Sequence, residues 1–378
     1  IRSVNGPRAT VIYGQGPLGF AATRCVYLSN HAALIGFTLS NGFTRTDGDL
    51  LYDRCGGGVF LDRSSFVSNC VITRCDAYLY GGGALLNYGG QLVDSTFFAN
   101  TASNYGGGAA CIGGGVLDGC TLAGNNAGDW GGAFYTSGSA SASRCEVYFN
   151  RADDGGGAYL NGGSVQNSLF YLNRAAQDGG GVFVNGAASV LLNSTAADNY
   201  ATRYGGGVLI RLGGSNINSI IYHNMAGTSG SNYHIATSGH LAFCCTAPLP
   251  AGMGNISSDP QFHDRAAYDY HLLSPSPCIN NGNNTLAAGT LDLDGRQRIL
   301  GTPIQLVDMG CYEAVPQDAS AATRHVSLGG GNTWPYSSSF SAARTIQDAI
   351  DAAQPGDTIE IAGGVYDRGY RGAYGARN

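Results

Sequence analysis

Three aspartates and three arginines are the residues of this chain best placed to do chemistry. Asp154 and Asp178 each stand immediately before a glycine triplet, 24 positions apart, with Asp153 beside the first. Arg151 and Arg174 each follow an asparagine, and Arg203 lies 25 positions beyond Asp178. If about 24 residues make one coil, Asp154 and Asp178 sit on adjacent coils. Two carboxylates that close could hold calcium or share a proton. The plainer expectation is an exposed charge ladder in which the arginines screen the aspartates, an arrangement worth little in stability. Other coils fill the same slot with Tyr80, Tyr105, Trp130 and Tyr204, as a tolerant surface column would. Those rings could stack on sugars; stacking on one another at intervals of ~4.8 Å is the simpler expectation.

Other candidate chemistry is thinner. Asp292 and Asp294, followed by Gly295, resemble half a calcium loop without its later glutamate, and read better as a turn. His223, His234, His240, His263 and His271 show no metal-ligand spacing. No Gly-x-Ser-x-Gly elbow is present. Every basic residue is arginine, so the glycine triplets are not phosphate loops, which need a lysine. The eleven cysteines include no Cys-x-x-Cys motif. Most fall in the repeat and read as small buried residues. Cys278 and Cys311 lie outside it, where a disulfide and two free thiols are both open. No cofactor is expected.

What must position these groups is a repeat. Glycine triplets begin at Gly56, Gly81, Gly106, Gly131 (here Gly-Gly-Ala), Gly155, Gly179 and Gly205, in steps of 25, 25, 25, 24, 24 and 26. Such a period marks units that bury their apolar faces only by stacking on their neighbours. After each triplet comes a short β-type run such as Val59-Phe60-Leu61 or Val182-Phe183-Val184. A column of small residues runs through Cys70, Ser95, Cys120, Cys145, Ser168, Ser194, Ser219 and Cys244. An Asn-x-Ala column begins at Asn100, Asn125, Asn150, Asn173, Asn199 and Asn224. Asparagine suits a bend, and stacked amides can bond along the column. Two or three short strands in 25 residues make one coil of a parallel β-helix, and helical periodicity is missing from the repeat. About ten coils are expected from Val11 to Cys244, a rod of roughly 45–50 Å at the usual strand spacing.

Beyond the coils the period stops. The chain divides into coils over 1–247, a cap region over 248–313, a linker over 314–324 and a second capping segment over 325–378. In the last, Ile346, Ala349, Ile350 and Ala353 recur at helical spacing, Pro355-Gly356 stops the helix, and Asp357–Ile361 alternates as a strand with Ile359 and Ile361 on one face. These six apolar residues are the expected assembly surface.

Composition sets limits on function. Charged residues are 12% and net charge is −6, with no basic stripe for nucleic acid. No 18-residue apolar run could span a membrane as a helix. Asn193, Asn255 and Asn283 sit in glycan-acceptor sequons. The start at Ile1 reads as a processed end or a cut through a longer polypeptide.

The cap region carries a resemblance. Asp259-Pro260-Gln261-Phe262, Asp269-Tyr270-His271-Leu272, Ser276-Pro277-Cys278-Ile279-Asn280, Asp292-Leu293-Asp294-Gly295 with Arg298, and Asp308-Met309-Gly310-Cys311-Tyr312-Glu313 follow the triplet coils. Together they resemble bacterial right-handed parallel β-helix proteins of the choice-of-anchor Q, pectin-lyase-like, type, over residues 1 to about 313. Cys311 and Asn280 depart from the family's usual small residue and Asp. Residues 325–366 are similar to the segment that caps the family's N-terminus, yet here they come last. The resemblance implies an all-β, right-handed parallel β-helix with a short capping helix, cut or permuted. The tail would cap the next unit of a tandem array or filament, or fold back on its own Ile1 end. The expected function is a structural extracellular or cell-surface protein joining head to tail, with copies of itself as partners. The alternatives are a polysaccharide lyase or hydrolase using Asp153, Asp154, Asp178, Arg151 and Arg174, and a glycan-binding adhesin using Tyr80, Tyr105 and Trp130.

Overall fold

The computed structural model describes residues 1–287, 289–299, 306–314, 323–333, 336–353 and 357–366. It is a parallel β-solenoid. Wall one has nine strands, from Val26–Leu28 to Tyr233–Ile235; wall two has nine, from Ala33–Ile35 to Gly239–Ala242. Wall three has ten, from Val11–Tyr13 to Cys245–Thr246, and a corner ladder has seven two-residue strands, from Asp76–Ala77 to Met225–Ala226. Register is strict: Leu85, Ala110, Tyr135, Tyr159, Phe183, Leu209 and His234 form one outward row of wall one.

Alternation along each strand sends the other set inward. Leu61, Leu86, Leu92, Phe97, Leu117, Leu122, Val147 and Phe170 pack in one continuous core. Each large apolar side chain so buried contributes about 1.5–3 kcal/mol.

The triplet glycines are needed for different reasons. Gly81, Gly106 and Gly155 have φ of +65°, a left-handed conformation that L side chains resist. A Cβ on Gly82 or Gly107 would overlap the carbonyl of Thr101 or Asn126 on the next coil. The third place is the most tolerant, since buried Ala133 fills it in one copy.

The asparagine column departs from expectation. These residues do not supply the left-handed bend; the residue before each does, as with Ala99 at φ 55°, Phe149 at 55° and Leu172 at 55°. The asparagine side chains turn inward instead. Asn150 Nδ2 donates to Asn173 Oδ1 at 2.9 Å and to the carbonyls of Leu122 and Tyr148. Its own Oδ1 accepts Asn125 Nδ2 and the Asn125 backbone N–H, both at 2.9 Å. A buried amide is tolerated because each of its hydrogen-bonding atoms has a partner.

The cap region runs back along the flank of wall three as well as past its end. Met253–Ile256 bonds to the last coil through Phe243 N to Met253 O and Thr246 N to Ile256 O. Phe262, Tyr270, Cys278, Met309, Cys311 and Tyr312 then cover the outward faces of Ala123, Tyr148, Tyr171, Ala197 and Ile220. Walls one and two end at Tyr233–Ile235 and Gly239–Ala242, whose outer edges pair with no described strand.

In the last segment, Thr323–Val326 and Thr358–Ile361 pair in parallel beneath the helix Ile346–Ala352. Thr345 caps the helix by accepting the Asp348 N–H at 3.0 Å. The six residues expected to form one assembly surface do not share a face. Ala349 and Ile346 pack inward with Ala352, and Ile359 joins them, because the strand pair lies directly under the helix. Ile350 and Ile361 are exposed, and Ala353 is the extended C-cap. Pro355-Gly356, most of the linker and residues 367–378 lie outside the described residues. No described helix is long and apolar enough to cross a membrane.

Candidate functional site

The aspartate slot lies at the corner where a coil turns into wall one. Tyr80, Tyr105 and Trp130 occupy it on successive coils and stack face to face, with centroids 4.8 and 4.4 Å apart. Trp130 continues onto Tyr159 at 4.8 Å, and Tyr159 onto Phe183 at 4.7 Å. The corner rings thus lean over the outward row of wall one and cover it. Asp154 and Asp178 fill the next two slots, so that cover lapses there. Tyr204 resumes the column, stacked on His234 at 4.7 Å.

Where the cover lapses a groove of about 370 Å³ opens, lined by Asp178, Phe183, Tyr204, Leu209, Arg211, His234 and Ala236. Arg211 donates to Asn185 Oδ1 at 2.8 Å and to the Tyr159 hydroxyl at 3.1 Å, with its guanidinium 4.8 Å from the Phe183 ring centre. Asp178 accepts Arg203 Nε at 3.2 Å and Nη2 at 2.7 Å, and the Tyr204 N–H at 3.2 Å. Asp154 Oδ1 accepts the Asp178 N–H at 3.1 Å. Burial, with the Asp178 charge beside it, pushes the Asp154 carboxyl up to about 6 against that hydrogen bond.

Asp154, Asp178 and Arg203, grouped by their spacing in the sequence, are neighbours in the structure. It separates the others. Asp153 accepts Gln177 Nε2 at 3.1 Å on the next coil. Arg151 and Arg174 pair in register on the exposed face of the corner ladder, where Arg174 lies 4.8 Å over Tyr200. Arg211 carries no sequence signal, and His234 reads from the sequence only as a histidine without metal-ligand spacing. Arg211 ends the run after the triplet at Gly205, and nothing in the local sequence shows that it reaches a tyrosine 52 positions earlier.

The remaining candidates are structural. Asp292 accepts the N–H groups of Arg296 and Glu313, at 2.6 and 2.8 Å, and so forms a turn. Asp294 bonds His271 Nε2 at 2.7 Å, and Arg296 lies 3.4 Å away. Among the described residues no group of three or more His, Cys, Asp or Glu is placed to hold a metal ion. Cys278 and Cys311 are free thiols. The disulfide option is not taken: Cys278 packs in the cluster that holds Cys245 of the last coil, while the Cys311 N–H donates to Thr195 Oγ1 at 3.1 Å. Asn193 is buried, Asn255 Nδ2 donates to the Leu241 carbonyl at 2.9 Å, and the Asn283 side-chain oxygen caps a 3₁₀ turn by accepting the Thr285 N–H.

No family model matches the chain, and no curated protein does. Among solved structures, the crystal structure of pectate lyase Pel9A is similar, at 14% identity over 82% of this chain and 86% of that one, with a TM-score of 0.41. At that identity the likeness concerns coil architecture alone and gives no residue correspondence.

Proposed function

We propose that this chain is a structural, extracellular β-solenoid rod that joins end to end, its 323–366 unit covering the open end of a neighbouring copy. The observation that carries the reading is the outer edge of Thr358–Ile361. It is parallel in sense, like every wall of the rod, and pairs with no described strand, with Ile361 and Ile350 exposed beside it. Unpaired edges invite strand addition. A complementary edge exists at the first coil, where Ile12, Cys25, Val26 and Ala32 are only partly covered and Tyr13 and Phe20 are exposed. Repetition of a contact between unlike ends gives a filament. Electron microscopy of the purified chain is expected to show rods with a longitudinal repeat near one unit's length. Compact monomers at all concentrations would refute the reading.

The groove beside Asp178 favours a second reading, a glycan-acting or glycan-binding site. Tyr204 and His234 offer ring edges while Asp178 and Arg211 address hydroxyls and carboxylates, and the Asp154 carboxyl beside the groove is pushed up to about 6. Turnover or binding of acidic glycans that falls at least tenfold in Arg211→Ala, with an unchanged melting curve, supports it. A broad glycan panel with neither binding nor turnover removes it.

A further inference from the structure

We propose that Cys25 and Cys75 form a redox-active dithiol at the first-coil end of the rod, closed to a disulfide by a small-molecule disulfide oxidant. Of the eleven cysteines, all free, ten are buried and Cys25 alone is partly exposed. Cys75 occupies the column that asparagine holds on later coils; its N–H donates to Asn100 Oδ1 at 3.0 Å, so it terminates the amide ladder. Both sulfurs flank Gly42. The Gly42 N–H donates to Cys75 Sγ at 3.4 Å, and a Cβ on Gly42 would lie 2.8 Å from Cys25 Sγ. Cys25 Sγ also reaches the Ser40 carbonyl at 3.3 Å, and Cys75 Sγ the Thr73 carbonyl at 3.3 Å. Gly42, with no side chain of its own, is the residue both sulfurs lie against.

That arrangement divides the roles. The neighbouring Cys75 thiol, with the Gly14 and Ser40 backbone, holds the Cys25 thiol below its ordinary range despite burial. The Cys25 thiol beside it, with burial, pushes Cys75 well above. An accessible thiol with enhanced thiolate character is the one that attacks, and its buried neighbour resolves. Cys120 with Cys145, and Cys245 with Cys278, also share core clusters, but all four are buried.

The chemistry balances with glutathione disulfide as oxidant. The Cys25 thiolate attacks one sulfur of it, forming a Cys25–glutathione mixed disulfide and releasing one glutathione thiolate. Cys75, giving up its proton, attacks Cys25 Sγ and expels the second. Two protein thiols are oxidised and one glutathione disulfide is reduced to two glutathiones. The product ties the first coil to the one beneath it. The step rests on the solenoid alone and takes place at a free first-coil end, which end-to-end joining would cover.

The test treats the reduced, folded chain with glutathione disulfide, then counts thiols and maps peptides. Wild type is expected to lose two thiols per chain and yield one linked peptide pair containing Cys25 and Cys75. Cys75→Ser should stop at a glutathione adduct on Cys25, and Cys25→Ser should lose no thiol. Brief iodoacetamide labelling of native wild type, which needs no variant, should modify Cys25 at least tenfold faster than any other cysteine. Uniform labelling rates, no loss of thiols, or a link confined to Cys245 and Cys278 would overturn the proposal.

Discussion

Asn150 illustrates how much a single side chain secures in this molecule. It joins three coils through bonds to Asn125, Asn173 and two backbone carbonyls. Asn150→Ala takes the acceptor from the buried Asn125 N–H and Nδ2, at roughly 1–3 kcal/mol for each group left unpaired, while Asn173 Oδ1 keeps the residue 150 backbone N–H. A lowered midpoint in urea with an unchanged slope is the expected readout. Gly107→Ala should be harsher, at more than about 4 kcal/mol, because its Cβ meets the fixed carbonyl of Asn126 instead of a mobile side chain. Loss of soluble folded protein would show it, whereas Ala133→Gly should cost far less. Asp154 tests electrostatics at the same scale. Its folded carboxyl titrates near 6 and an unfolded one near ~3.9, so the folded state holds the proton more tightly. Its contribution to stability therefore falls as pH rises from about 4 through 6. Asp154→Asn should flatten that part of the stability profile. Single residues were unevenly legible. Identity and spacing exposed the glycines and the aspartate pair. The direction of the asparagine side chains was not visible, because a bend and an inward ladder place asparagine in the same column.

The cap region is the element whose chemistry was least visible beforehand. Its sequence words were plain, but their partners lie on the rod. Arg298, fully buried, donates to Glu313 Oε1 and to Asn167 Oδ1, both at 2.7 Å, and reaches the Asn193 carbonyl at 3.3 Å. No local pattern links positions 167 and 298. Arg298→Ala should lower the melting temperature, because it removes the donors to Glu313 Oε1, Asn167 Oδ1 and the Asn193 and Gly310 carbonyls, at roughly 1–3 kcal/mol for each group left unpaired; thermal melting measures it. His271 lies between Asp269 Oδ1 at 2.6 Å and Asp294 Oδ2 at 2.7 Å, with its ring 3.9 Å from that of Tyr312. Burial opposes its charge, but the Asp294 carboxylate and the two hydrogen bonds outweigh it and raise the imidazole to about 9. The unfolded value is ~6.5, so this stabilisation is complete below about pH 6.5 and is lost as pH rises through about 9. Against burial, the His271 bonds hold Asp269 well below the usual carboxylate range, so its share is present above ~3.9 and lost on acidification. The melting temperature should decline between pH 6.5 and 9, and His271→Gln should remove much of that decline. An undiminished slope in the variant would place its origin elsewhere.

For the molecule as a whole, the 25-residue period was enough to specify the coil, the walls and the core, because a solenoid repeats one local solution. The flank-covering path of residues 248–313 was not legible, since the period that carries the information stops where that segment begins. The 323–366 unit was legible as a helix and strand, but which of its apolar residues would face outward was not. Deleting residues 323–378 should abolish end-to-end joining while the coils still melt cooperatively; filaments that persist would show that the coil ends suffice. The amide ladder has one more consequence. From Asn100 through Asn125, Asn150, Asn173 and Asn199 to Asn224, each side-chain oxygen accepts from the coil before it and one N–H of each amide donates to the coil after it, the other N–H turning back to a backbone carbonyl. The side-chain dipoles add rather than cancel, so the rod carries an electrical polarity along its axis. Two rods placed head to head would oppose their fields, whereas copies aligned in the same sense would reinforce them.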